Sequence, residues 1–150
     1  MSARFVSTPI GEITLLADDN AITGLSFGKA DCNAAQGNPL LREAEKQLQA
    51  YFAGELRVFT LPLAPIGTAF QQKVWQCLQT IPYGQTVCYA EVAQRVGNPK
   101  ACRAVGMANN RNPISIFIPC HRVVGKNGGL VGYGGGLAAK EYLLALEQRI

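Results

Sequence analysis

The sequence predicts an α+β fold: a small N-terminal antiparallel sheet lobe with a helix, residues 1–67, then a mainly helical C-terminal domain, residues 68–150, containing a helix-turn-helix. Three observations lead there. Short β-rich runs separated by turn residues fill the first part of the chain, and helical spacing of apolar residues takes over from Thr68. Between residues 89 and 109 two helical segments flank a tight Gly97-Asn98 turn. The 150 residues, 48% hydrophobic and 16% charged, suffice for a real core and exclude both a disordered polyelectrolyte and a string of independent domains.

Residues 4–7, 12–17 and 21–27 read as strands, and Thr8-Pro9-Ile10-Gly11 and Asp18-Asp19-Asn20 supply the turns of an antiparallel meander. Asn38 can cap a helix opened by Pro39, in which Leu41, Ala44, Leu48, Tyr51 and Phe52 recur at helical spacing until Gly54 stops it. Residues 31–37 and the segment Leu61-Pro62-Leu63-Ala64-Pro65 read as connections, the second as a linker ahead of a boundary near Gly67. This lobe carries no obvious chemistry.

From Thr68, Phe70, Val74, Cys77, Leu78 and Ile81 share one helical face, so Cys77 reads as core filling, and Pro82-Tyr83-Gly84 ends the helix. A second helix spans residues 89–96, with Cys88-x-x-Glu91 in the place of a capping box whose acceptor is poorer than Ser or Thr. Asn98 is read as the cap of a third helix that has Pro99 at its first position and runs toward Asn109. With Lys100 and Arg103 on that third helix, the pair fits a DNA-binding unit, and equally an ordinary pair of core helices. After Asn112-Pro113, residues 114–118 read as an extended apolar segment. Cys120 continues the parity of Ile114, Ile116 and Ile118, which sets it against an apolar wall. Seven glycines among residues 125–136 make a close-approach loop without a phosphate-binding Gly-x-x-x-x-Gly-Lys, and an amphipathic helix over 137–147 follows.

No apolar run reaches the ~20 residues that cross a bilayer, and the first residues lack a signal-peptide core, so the expectation is a cytoplasmic protein with no membrane association. Five scattered cysteines with no Cys-x-x-Cys pair, and a single histidine, argue against a disulfide scaffold and against a metal site. The net charge of +4 is unevenly spread: residues 1–67 hold five bases and seven acids, residues 68–150 nine bases and three acids. No Asp or Glu occurs between Val92 and Lys140. Such a stretch suits a polyanion, nucleic acid first, though it also fits a plain basic surface.

Cys120 stands apart from the other cysteines, because it follows a proline, adjoins the sole histidine and an arginine, and lies between an apolar segment and the glycine loop. Neighbours of that kind favour a thiolate. In an extended chain the His121 side chain would point away from Cys120, so a turn or a water must connect them. A histidine base also wants an acceptor on its other nitrogen. Of the three carboxylates in this half, Glu147 lies on the apolar stripe of the last helix, where it has either a specific partner or a frayed, solvated end.

The segments Phe70-Gln71-x-x-Val74-Trp75, Ile81-Pro82-Tyr83-Gly84, Arg103-Ala104-Val105-Gly106, Asn112-Pro113, Pro119-Cys120-His121-Arg122-Val123, Tyr133-x-Gly135-Gly136 and Lys140-x-x-Leu143-Leu144-x-x-Glu147 resemble the O6-alkylguanine-DNA alkyltransferases. The resemblance implies a repair protein that moves the alkyl group of O6-alkylguanine, and of O4-alkylthymine, in double-stranded DNA irreversibly onto Cys120, once per molecule and without a cofactor. It implies that His121 and Glu147 activate Cys120 through a water, that Tyr89 protonates the departing guanine and that Asn112 braces the active-site turn. Arg103 would fill the space of the flipped base from a recognition helix in the minor groove, with Asn98 and Lys126 meeting the DNA nearby and the protein acting as a monomer. Ser115 and residues 134–136 would border the alkyl pocket, their small size admitting bulkier groups. Two other classes remain in view at this point: a lesion-binding protein without transfer activity, and a thiol-based redox regulator with a DNA-binding module.

Overall fold

The structure is a computed structural model and describes residues 2–29, 37–126, 129, 133 and 135–148. Cys32, most of the connection at 31–37 and positions 127–128, 130–132 and 134 of the glycine loop therefore lie outside the described residues. Strands β1 (Ser2–Thr8), β2 (Gly11–Ala17) and β3 (Ile22–Phe27) form an antiparallel sheet in that order. The Asp18 carboxylate accepts from the Asn20 and Ala21 N–H groups at 2.7 and 2.8 Å and so shapes the second turn. Helix α1 (Pro39–Phe52) begins where the Asn38 side chain accepts from the Leu40 N–H, and it buries the five residues that its spacing predicts: Leu41, Ala44, Leu48, Tyr51 and Phe52.

The Pro-rich segment after α1 is more than a linker. The Ile22 N–H donates to the Pro62 carbonyl and the Ala64 N–H to the Ile22 carbonyl, both at 2.8 Å, so Leu63 pairs with the outer edge of β3. Farther along the same edge, Leu25 donates to the Pro113 carbonyl at 2.9 Å. Prolines 62 and 65 rule out a continuous ladder there, but the two local bridges, to Leu63 and to Ile114, protect the edge.

Helix α2 (Ala69–Leu78) opens with a reciprocal cap between Thr68 and Gln71. Gly67 just before it must be glycine, since a Cβ would come within 2.4 Å of the Trp75 ring. Val74, Trp75 and Leu78 are buried, whereas Cys77 is only half-buried and borders the core instead of filling it. Helices α3 (Tyr89–Arg95) and α4 (Cys102–Asn110) form the expected pair, and Trp75 Nε1 donates to the Ala108 carbonyl at 2.8 Å, fastening α2 to α4.

Two local expectations fail here. Cys88 makes no capping hydrogen bond, and Glu91 instead pairs with Arg95 at 2.7 Å on the same helix. Asn98 does not cap α4: the Ala101 N–H donates to the Asn98 carbonyl at 3.0 Å, so residues 98–101 make a separate turn and the helix starts at Cys102. Proline suits the second position of such a turn as well as the first position of a helix. Strands β4 (Val87–Cys88) and β5 (Val123–Val124) pair in parallel, and α5 (Leu137–Glu147) covers the predicted range. One continuous hydrophobic core runs from Ile13, Leu15 and Leu48 to Val105, Ile118 and Leu143, joining the two halves of the chain. Among the described residues no helix is long and apolar enough to cross a membrane.

Candidate active site

Residues 114–120 are not the extended segment that the sequence suggests. Asn112 accepts from the Ile114 N–H at 3.0 Å and donates to the Ile118 carbonyl at 2.8 Å, pinching the chain into a turn. Within that turn Ile116 has φ of 72°, a left-handed conformation that costs a β-branched residue energy and persists only under such constraint. The chain then passes through Pro119 into a 3-10 turn, Cys120–Arg122. Cys120 is buried as the parity argument expects, but this tight turn, not strand alternation, puts it there. Asn112 thus holds the turn through hydrogen bonds to both of its ends.

Cys120 Sγ donates to Ser115 Oγ at 3.8 Å, and Asn109 Nδ2 donates to the Cys120 carbonyl at 3.4 Å. Burial pushes the thiol's pKa above its ordinary value, outweighing its hydrogen bonding with Asn112 and Ser115 and the charge of Lys140. The sequence neighbours of Cys120 favour a thiolate, and burial of the sulfur opposes it. Lys140 is itself wholly buried, and its ammonium donates to the Val123 carbonyl at 2.7 Å.

Of the two outcomes open for Glu147, a specific partner and a frayed end, the structure has the first. His121 Nε2 lies 2.7 Å from Glu147 Oε2, both groups buried. Arg122 donates through Nε to Oε1 at 2.8 Å and through Nη2 to Oε2 at 2.9 Å, while its Nη1 donates to the Ile81 carbonyl at 2.7 Å. Burial alone would push the Glu147 carboxyl up, but the hydrogen bonds from His121 and Arg122 and the arginine's charge hold it at about 2. Burial lowers the His121 pKa, and the hydrogen bond to Glu147 only partly opposes it. With Arg122 and Lys140 already positive, His121 rests neutral. Facing an ionised carboxylate, Nε2 must carry the proton, so Nδ1 keeps its lone pair. That nitrogen is buried and has no hydrogen-bond partner among the described residues.

Tyr89, the first residue of α3, lies near enough to Cys120 to sense the charge of its thiolate form, and burial followed by that interaction raises its pKa, so its hydroxyl stays protonated. The structure thus brings Cys120, His121, Glu147, Tyr89 and Asn112 to one place. Arg103 on α4, Asn98 in the preceding turn and Lys126 beyond β5 are exposed instead. Among the described residues, no group of three His, Cys, Asp or Glu side chains is placed to hold a metal ion.

Three contributions escaped the sequence reading. Arg122 is a structural partner of Glu147, not a charge beside the sulfur. Tyr51, from the lobe read as carrying no chemistry, donates to Glu147 Oε2 at 2.6 Å. Phe27 of β3 packs edge-on against Tyr133, ring centroids 5.5 Å apart, and a Cβ on Gly135 would lie 2.9 Å from the Phe27 ring. Burial, then interaction with the thiolate form of Cys120 and the charge of Glu147, push the Tyr133 pKa well above its ordinary value. No local pattern announces these contacts, because each joins residues far apart in the chain.

An acid-labile stability follows from the Glu147 cluster. Glu147 and His121 both titrate below their ordinary values of 4.5 and 6.5. Their contribution is therefore complete above 6.5 and is lost as pH falls, first as the unfolded chain protonates its histidine and then between 4.5 and about 2. The Glu147 share is about 3 kcal/mol. Urea midpoints measured against pH should fall steeply through this range, and Glu147→Gln should flatten the acid limb. An unchanged acid limb in that variant would contradict the assignment.

Residues 1–65 match the family described as 6-O-methylguanine DNA methyltransferase, ribonuclease-like domain, and residues 69–149 match 6-O-methylguanine DNA methyltransferase, DNA binding domain. A methylated-DNA--protein-cysteine methyltransferase of Methanosarcina acetivorans is 52% identical over 146 residues, which cover 93% of this chain and 94% of that protein. The constitutive methylated-DNA--protein-cysteine methyltransferase of Bacillus subtilis is 48% identical over 151 residues, covering 94% and 92%. Among solved structures, the crystal structure of Mycobacterium tuberculosis OGT in complex with DNA is similar at a TM-score of 0.92 and 45% identity, covering 99% of this chain and 93% of that one.

Proposed function

The chain belongs to the 6-O-methylguanine DNA methyltransferase family, and from that premise we infer that Cys120 is the residue onto which it transfers the alkyl group of O6-alkylguanine in DNA. The protein is a DNA-repair alkyltransferase, a methylated-DNA-[protein]-cysteine S-methyltransferase, and double-stranded DNA is its partner. One observation carries the assignment to Cys120: the buried hydrogen bond of 2.7 Å between His121 and Glu147 beside the one buried cysteine among the described residues.

In this reading the alkylated base is flipped out of the duplex, because a buried sulfur has no access to O6 of a stacked guanine. His121 Nδ1 takes the thiol proton through a bridging water while Glu147 holds Nε2–H, which orients the ring and stabilises the imidazolium. Sulfur attacks the alkyl carbon, the S–C bond forms and the C–O6 bond breaks. The electron pair stays on the guanine, which Tyr89 protonates as it leaves. The rise in thiol pKa on burial supports deprotonation in step with base binding rather than a standing thiolate. A thioether has no route back to the thiol here, so each molecule acts once. We assign the same chemistry to O4-alkylthymine, place the protein in the cytoplasm and take a monomer as the working unit. The division into an α/β lobe, 1–67, and an alkyltransferase domain, 68–150, is supported by the change of family description between residues 65 and 69. The lesion-binding and redox readings are not favoured, since relatives spanning nearly the whole chain are named as methyltransferases.

Arg103, Asn98 and Lys126 are assigned to the DNA, Arg103 in the space of the flipped base. Their exposure and the acid-free stretch that contains them support this. Four rate constants test the division of labour. Arg103→Ala should slow repair of duplex DNA by about a hundredfold, the worth of a few kcal/mol of unstacking, and leave the reaction with free O6-benzylguanine nearly unchanged. Glu147→Gln should slow both reactions by a similar factor. Equal slowing of both substrates by Arg103→Ala would remove the flipping role.

A further inference from the structure

We propose that Tyr51, on the helix of the N-terminal lobe, is a positioning residue for the alkyl transfer, acting through Glu147 and not on the alkyl group. The proposal rests on the Cys120–His121–Glu147 reading. Glu147 Oε2 receives three donors: Tyr51 Oη at 2.6 Å, His121 Nε2 at 2.7 Å and Arg122 Nη2 at 2.9 Å. Oε1 receives Arg122 Nε at 2.8 Å and lies 3.5 Å from the Gly84 nitrogen. A carboxylate oxygen offers about two lone pairs, so the donors to Oε2 compete, and removing one strengthens the others. The arginine fork sets the plane of the carboxylate, and the phenol limits how far it can swing toward the imidazole.

Tyr51 is built for this task. Its ring is fully buried and held by edge or tilted contacts to Phe52, Phe59 and Tyr83, with centroids 5.4, 5.3 and 6.2 Å away. A phenylalanine would fill the same wall without any polar atom to satisfy, so packing alone does not account for the hydroxyl. Burial, reinforced by the Glu147 charge, raises the phenol's pKa far above its ordinary value, so it remains a donor wherever the protein is folded. A group that tunes the relay thus comes from outside the segment that carries the thiol, the imidazole and the carboxylate. The N-terminal lobe thereby acquires a part in the chemistry.

Tyr51→Phe tests this with the folded protein. His121 is the only histidine, so its imidazole signals are unambiguous in proton–nitrogen NMR spectra. Freed of one competitor, Glu147 should draw more strongly on His121 Nε2–H and move that proton downfield. The carboxylate, no longer restrained by the phenol, should swing toward the imidazole and shift the position from which Nδ1 takes the thiol proton. Rates with free O6-benzylguanine and with O6-methylguanine duplex should both fall by about three- to tenfold, less than the full worth of a charged hydrogen bond because Arg122 still holds the carboxylate. Duplex affinity should not change. A wild-type protein that never alkylates Cys120 defeats the underlying reading. A reactive wild type overturns the Tyr51 proposal alone in either of two cases: the variant keeps its rates, or it slows while the His121 resonance stays where it was.

Discussion

Cys120→Ser should abolish alkyl transfer and leave binding to an O6-methylguanine duplex within roughly twofold of wild type, because the exposed basic groups assigned to the DNA are untouched. The loss is complete rather than partial for two reasons. A serine hydroxyl is a far poorer nucleophile, and the site that raises a thiol's pKa by burial would raise a hydroxyl's still further. The substitution is nearly isosteric, so the hydrogen bonds that Asn112 makes across the 114–118 turn should survive. Transfer from radiolabelled duplex and electrophoretic binding, run on the same preparation, separate the two effects. Transfer that persists and migrates to Cys77, Cys88 or Cys102 would show that the nucleophile has been misassigned.

Arg122→Ala should be the most destabilising single change among the site residues, by about 3–5 kcal/mol, because it strips a buried carboxylate of its main counter-charge. Arg122 makes three hydrogen bonds, two to Glu147 and one to the Ile81 carbonyl, and its guanidinium lies 5.7 Å from the Tyr83 ring centroid. For a chain of this size the loss corresponds to a fall in Tm of about 10–15 °C. The double variant Arg122→Met/Glu147→Met removes both charges and fills their volume, so it should regain much of that stability while remaining slow toward O6-benzylguanine. Calorimetry on the single and double variants reads the coupling directly. A double variant no more stable than Arg122→Ala would mean that the cost lay in lost packing and not in an uncompensated charge.

Local pattern was sufficient for the parts of the fold that local physics decides. The apolar stripes of α1 and α5 and the turn residues around Asp18 each specify one outcome, and those elements form where their residues place them. Pro99 is different, because a fixed φ near −65° fits both the first position of a helix and the second of a turn. The Asn98 carbonyl settles the matter by accepting from Ala101, and the helix start moves to Cys102. The active-site turn was misread for a similar reason: alternating isoleucines fit a strand, and the two hydrogen bonds of Asn112 that bend the chain carry no periodic signature.

Glu147 could be singled out in the sequence, since an acid on an apolar helical stripe is either paired or at a frayed end. Its partners could be found only in part. His121 follows from the chemistry of a base that needs orienting, whereas Tyr51 reads as one more core aromatic and meets Glu147 across a separation of 96 residues. The pKa of the sulfur depends on burial as well as on its neighbours in the chain. Neighbours in sequence suggested a thiolate, and desolvation in the folded protein outweighs them.

The central claim is that Cys120 accepts the alkyl group once and keeps it. Intact-protein mass, followed by peptide mapping after incubation with excess O6-methylguanine duplex, tests it most directly. The account predicts a gain of one methyl group in place of one hydrogen, on the peptide containing Cys120, reaching a plateau of one per chain however much substrate is added. Continued demethylation of the DNA with no change in protein mass, or a methyl group on any other residue, would contradict it.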